Sequence, residues 1–262
     1  MAGQRLGAQP DVVPAAPRVA CTLMGVPIHS ITAEETVAYV AQWIEGGQAR
    51  QIATVNPEFL MQARKDAAFR ATLNRVALCI PDGYGVLWAA RLRGIKIRER
   101  VPGSDLVPRL SAAAARYGWR IFYLGAAPGI AEKTADILTA RYPGLPVAGC
   151  YAGSPAIEEE NDIVTRIRAS QADILFVAYG APKQELWLER NLPRTGAKVG
   201  IGVGGTFDFI TGIRHRAPHW IQRIGLEWFY RLVVEPWRWR RQLVLPHFAI
   251  LALLRKDDPV DL

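Results

Sequence analysis

Asp82 stands in IPDGYGV, Ile80 to Val86, where an apolar run breaks into a glycine turn. A carboxylate delivered to the end of a buried strand and partly desolvated there can take a proton from an incoming hydroxyl, and such a base contributes roughly 10²- to 10⁴-fold in rate. Asp before Gly is equally ordinary turn chemistry. Thr54 and Asn56 close a second apolar run in TVNPEF, and Arg100 lies in the basic loop IKIRERVPGSD. Each also has a structural reading: Thr54 as a strand residue, Asn56 as the cap before Pro57, Arg100 as a solvated charge. Three glycine-bearing turns add backbone amides that a phosphate could approach. They are GAAPG with Gly125, YGAPKQE with Tyr179, Gly180, Gln184 and Glu185, and GVGGTFD with Gly204, Gly205 and Asp208.

Other chemistries find little support. Gly200, Gly202 and Gly205 match G-x-G-x-x-G, but the first two fall inside a strand and TFDFITG is a poor helix opening, so close packing explains them better than a dinucleotide. His215 and His219 are four apart, but Pro218 intervenes and no third ligand is near, so no metal site is expected there. The sequence holds no Asp-x-Asp pair, Walker A sequence, G-x-S-x-G elbow or CxxC. No cofactor and no metal are expected, and bound phosphates would be met by arginines and backbone amides.

The elements that would position these residues alternate along the chain. QIATVN, VALCIP, WRIFYLGA, LPVAGCYAG, ADILFVAYG and AKVGIGVGG read as short apolar strands. Between them lie amphipathic segments, among them PEFLMQARKDAAFRATLN, SDLVPRLSAAAARYG and APKQELWLERNL, which read as helices; Thr32 to Glu35 forms a capping box ahead of another. This order predicts an α/β fold, a Rossmann-like, mostly parallel sheet with helices on both faces. Ligands of such sheets bind beyond the carboxyl ends of the strands, where the candidate residues gather.

The chain of 262 residues carries a net charge of +8, and most of the excess is near its end. Between Arg214 and Lys256 nine Lys/Arg face only Glu227 and Glu235, interleaved with four of the eight tryptophans. That combination suits an anionic partner with an apolar part, either a lipid surface or a nucleic acid. The domain expectation is a disordered tail over 1–22, a catalytic domain over 23–212 and a basic, aromatic, helical, membrane-facing appendage over 213–262. VLPHFAILALL is too short to span a bilayer, and no secretory leader is expected. Cys21, Cys79 and Cys150 are an odd, scattered set, which fits free thiols in a reducing compartment and a cytoplasmic protein.

TVNPEF, PDGYGV, RVPGSDL, YLGAAPG, DILFVAYGAPKQELWL, GVGGTFDFITG and RAPHWIQRIGLEWFYRLVVEPWR, in that order, resemble the WecG/TagA/CpsF family of bacterial glycosyltransferases (glycosyltransferase family 26). The resemblance runs from about Leu23 to about Val244 and rests on several independent motifs. It implies an inverting, metal-independent transfer from a UDP-sugar donor to a polyprenyl-diphosphate-linked sugar acceptor in cell-surface polysaccharide synthesis. The donor would be UDP-glucose, UDP-N-acetylmannosamine or its uronic acid. It also implies a peripheral position on the inner face of the cell membrane, and homo-oligomers in which the appendage can be displaced. By resemblance Asp82 is the base, Thr54 and Asn56 belong to the acceptor side, Arg100 is the loop arginine and Gln184 is the glutamine of the PKQE motif. Arg231, Arg238 and Arg241 are phosphate-facing, and their spacing predicts one arc of a single helix, provided that Pro236 does not kink it. Trp220, Ile224 and Trp228 form an i, i+4, i+8 stripe for domain packing or lipid contact. Two alternatives remain: a nucleotide-binding oxidoreductase on the glycine turns, and a nucleic-acid module using the Arg/Trp tail. The family reading expects no nucleic acid.

Overall fold

In the computed structural model, residues 17–223, 225–236 and 239–254 are described. The chain opens with a hairpin, β1 (Val19–Leu23) and β2 (Val26–His29), paired antiparallel. Its turn, Met24–Gly25, has φ of 51° and 74°. Positive φ at both central residues makes the tight turn that matches strand twist. Residues 19–22, expected in a disordered tail, are therefore a strand, and Leu23, Val26 and Ile28 are wholly buried. MG is a weak turn signal beside Asn-Gly, so the sequence hides this hairpin. Residues 1–16 of that expected tail lie outside the described residues.

A parallel sheet follows, built from β3 (Arg50–Val55), β4 (Leu78–Pro81), β5 (Ile121–Gly125), β6 (Val147–Tyr151), β7 (Ile174–Ala178) and β8 (Val199–Gly202), in the order β4-β3-β8-β7-β5-β6. All of its pairs are parallel. Alternate residues serve opposite faces, the period-2 rule for strands buried on both sides. Ile174 and Phe176 join one core with α1 (Ala33–Gly46), α5 (Gly103–Tyr117) and α6 (Ile130–Arg141). Leu175 and Val177 join the other, under α7 (Glu160–Ser170) and α8 (Lys183–Thr195). The doubly wound expectation holds.

The expected long helix after Asn56 is two, α2 (Pro57–Lys65) and α3 (Ala67–Arg75), because Asp66 leaves helical geometry and accepts from Phe69 N at 3.0 Å as the cap of α3. The helix after β4 is α4 (Tyr84–Leu92), and a short α9 (Thr206–Ile210) follows β8. The final segment comprises α10 (His219–Arg223), α11 (Glu227–Val234), α12 (Trp239–Gln242) and α13 (Val244–Leu254). Phe248, Leu251 and Ala252 of α13 are buried in the core shared with α2 and α4, while Ile250 and Leu253 face outward. Among the described residues no helix is long and apolar enough to cross a membrane.

The single-helix placement of the basic residues does not hold. α11 ends at Val234, with Glu235 and Pro236 breaking it before α12, so one arc cannot carry Arg231 and Arg241. Likewise Gly225, at φ 76°, separates Trp220 on α10 from Trp228 on α11, so the expected stripe is not on one helix. Both indoles are exposed. Ile224, Arg238 and the Arg241 side chain lie outside the described residues.

Candidate active site

The carboxyl ends of β3, β4, β7 and β8 open into a cavity of about 770 Å³, within the range that holds small ligands. Asp82 reaches it because β4 stops at Pro81 and the backbone stays tied for one more residue, Asp82 N donating to Val55 O at 2.8 Å. Val101 N donates to Pro81 O at 2.8 Å, which brings Gly103, at the start of α5, against the carboxylate. Burial pushes the Asp82 carboxyl from an ordinary 3.8 up to about 7. The Arg100 guanidinium pulls it back, Glu227 pushes it further up, and the Gly103 amide and Arg231 lower it. No basic residue is close to Asp82 in sequence, yet the fold brings Arg100 and Arg231 near it. Arg100 is itself held by Glu227 Oε2 at 3.3 Å and stacks 4.8 Å above the Tyr84 ring, so its charge is shared. A carboxyl poised near neutrality in a cleft has the basicity that proton transfer at ordinary pH requires.

Thr54 lines the cavity and donates its hydroxyl to Gly202 O at 3.2 Å. Asn56 lines it too, and its Oδ1 caps α2 by accepting from Phe59 N at 3.1 Å. The capping reading of Asn56 is thus correct for its oxygen. Along α2, Glu58, Gln62 and Lys65 also face the cavity, an i, i+4, i+7 row whose polar residues look like an ordinary solvated helix face in the sequence.

The glycine turns behave differently from expectation. Gly180 N and Gly204 N both donate to Gln184 Oε1, each at 3.0 Å, so these amides are turned inward and are not open to phosphate. Gln184 lines the cavity at 1% exposure, and Glu185 lies wholly buried beneath it. Gly125 packs on the Ala178 backbone, where a Cβ would come within 2.9 Å, and its neighbour Ala126, at φ 64°, lines the cavity instead. Left-handed backbone at an alanine costs about 1 kcal/mol and is typically retained at functional sites. Gly200 and Gly202 give α8 room, since a Cβ on Gly200 would reach within 2.6 Å of Leu188. That supports close packing over a dinucleotide fingerprint.

Tyr179, Gly205 and Asp208 line the cavity. Tyr179 stands edge-on to Trp187, and Asp208 accepts from Arg214 Nε at 3.1 Å. The far wall comes from the final segment, as Arg214, Glu227, Arg231 and Val244 face the cavity. Arg231 also lies 4.9 Å from the Phe209 ring. Ion pairs fasten this wall to the sheet domain: Glu227 to Arg100, Arg216 to Asp105, and Arg214 to Asp208. The pairings of Arg100 and Arg216 are not visible in a linear sequence, because their partners are more than a hundred residues away. Among the described residues no group of three or more His, Cys, Asp or Glu is arranged to hold a metal ion.

The model of the Glycosyl transferase WecG/TagA/CpsF family matches residues 21–259, spanning the turn that carries Asp82 and the final wall alike. The chain belongs to that family. Its relatives include N-acetylglucosaminyldiphosphoundecaprenol N-acetyl-beta-D-mannosaminyltransferases. That of Bacillus subtilis (strain 168) is 34% identical over 207 residues, 79% of this chain and 80% of the relative. The enzyme of Bacillus spizizenii is 32% identical over 211 residues, 80% and 81% of the two chains, and that of Staphylococcus aureus (strain MRSA252) 31% over 190 residues, 72% and 73%. The matched residues include both Asp82 and the guanidinium groups of Arg214 and Arg231 that line the cavity.

Proposed function

We propose that this protein transfers a hexose or N-acetylhexosamine, with inversion, from a UDP-sugar to a sugar carried on a polyprenyl diphosphate. The observation that carries the reading is Asp82, pushed up to about 7 at the sheet mouth, in a cavity that Arg231 closes from the final segment. The acceptor hydroxyl gives its proton to Asp82 as its oxygen attacks the anomeric carbon. The bond from that carbon to the diphosphate breaks on the opposite face, and UDP leaves with the electron pair. Guanidinium suits the charge that builds on the diphosphate, and it allows the reaction to run without a metal. The names of the relatives favour an N-acetylmannosaminyl donor and an N-acetylglucosaminyl acceptor.

The final segment fits a peripheral position at the membrane. Trp220, Phe229, Val233, Leu243 and Leu253 are each at least half exposed, far more apolar surface than a short basic segment needs. Basic residues beside an anionic leaflet add roughly 1 kcal/mol each. The test is a transfer assay with a panel of UDP-sugars and synthetic polyprenyl-diphosphate acceptors, in EDTA, for wild type and Asp82→Asn. One product, formed in EDTA and lost in the variant, is expected. Transfer that needs added metal, or that survives in the variant, would overturn the mechanism.

A further inference from the structure

Glu185 is the most deeply buried acid near the site, and no step of the proposed transfer uses it. It is wholly inaccessible, and it receives the Gln184 amide through Nε2 to Oε1 at 2.7 Å. Its Oε2 has no hydrogen-bond partner among the described residues. Its backbone carbonyl is held by Gln51 Nε2 at 3.2 Å, which anchors this turn of α8 to β3. The space for the two side chains exists because position 202 lacks one: a Cβ there would overlap both Glu185 Oε1 and Gln184 Nε2. An amide has one acceptor oxygen and one donor nitrogen, so whatever receives Nε2 decides which way the oxygen points. Here the oxygen points to Gly180 N and Gly204 N, each two residues past the end of its strand, β7 or β8, in the loops that floor the cavity.

We propose that Glu185 is a positioning residue: its oxygen fixes the Gln184 amide, and that amide holds the two floor loops at the spacing the donor sugar nucleotide requires. The inference rests on the proposed transfer for its kinetic consequence, though the clamp itself does not. Reach matters in this arrangement, and charge does not. Burial pushes Glu185 up to about 8, although the Gln184 amide and its own backbone N–H pull the other way, because a buried carboxylate met only by amides is poorly compensated. A neutral acid still presents the acceptor oxygen that Gln184 needs.

Two substitutions separate reach from charge. Glu185→Gln keeps an oxygen at the same distance and removes the ionisable group, whereas Glu185→Asp keeps the acid and withdraws it by one methylene. Amide hydrogen exchange at Gly180 and Gly204, read by NMR, reports the clamp directly. Michaelis constants for UDP-sugar and lipid acceptor report its use. Glu185→Gln should match wild type in both readouts to within about twofold. Glu185→Asp should exchange both amides about tenfold faster while exchange in the strands stays slow, and should raise KM for the donor more than it lowers kcat. The proposal is overturned if Glu185→Asp keeps both amides slow, or if Glu185→Gln is as impaired as Glu185→Asp. A wild type that transfers nothing from any UDP-sugar would count against the proposed transfer, and the exchange experiment would still decide the clamp.

Discussion

Asp82→Asn tests the pH logic of the site in two ways at once. The carboxyl rises from 3.8 to about 7 on folding. At 1.36 kcal/mol per pH unit, that shift corresponds to at most about 4 kcal/mol of folding free energy opposed by the ionised form, and because Asp82 opens onto the cavity, solvent reduces this to about 1–3 kcal/mol. The sign follows from proton binding. Between pH 4 and 7 the unfolded chain releases its proton while the folded chain keeps it, so this group makes wild type less stable as pH rises through that window, and the penalty is constant above it. Asn has no proton to release. Urea unfolding of both proteins at pH 5, 6, 7 and 8 should therefore show Asp82→Asn gaining on wild type with rising pH and levelling off near 8. The same ionisation makes the base competent, so kcat/KM of wild type should climb with a midpoint near 7, and the variant should lose roughly 10²- to 10⁴-fold. A stability difference independent of pH, together with a flat rate profile between pH 5.5 and 8.5, would refute the assignment of Asp82 as a desolvated base.

Other consequences are more local. Arg231→Lys keeps the charge but loses the planar fork, so UDP affinity by calorimetry should fall about tenfold; unchanged affinity would remove Arg231 from the diphosphate site. Gly202→Ala places a methyl group on the Gln184–Glu185 pair and should cost roughly 1–3 kcal/mol in denaturant unfolding, along with donor binding. Asp66→Ala deletes the cap between α2 and α3 and should cost about 1 kcal/mol while leaving UDP affinity intact. Replacing Trp220 and Trp228 together by Ser should leave the unfolding midpoint unchanged, since both indoles are exposed, and should weaken binding to anionic vesicles in a sedimentation assay.

What could be read in advance divides along a physical line. The strands and most helices were legible because parallel strands buried on both faces must be short apolar runs, and the helices over them must be amphipathic. Asp82, Thr54 and Gln184 were legible as strand-end and loop residues because ligands of such sheets gather there. Features that depend on which way a backbone amide turns were not. YGAPKQE and GVGG looked like open glycine amides, yet one glutamine oxygen receives Gly180 N and Gly204 N across a separation of twenty residues in the second case. The ion pairs of Glu227 with Arg100 and of Arg216 with Asp105 were equally hidden, because a charged residue carries no mark of the distant partner it will find. These two hidden features bear on one another. With the glycine amides committed to Gln184, the floor presents few open donors at those turns, and under the proposed transfer the charge facing a leaving diphosphate would come from side chains such as Arg231 on the opposite wall and Lys65 on α2. That wall is α11, carrying Arg231 and pinned through Glu227 to Arg100 beside the base. Burial is the main cause of the raised Asp82 carboxyl, and Arg100, Glu227 and Arg231 adjust it, so under the proposed transfer a substitution that frees α11 from Arg100 should impair proton transfer and departure together.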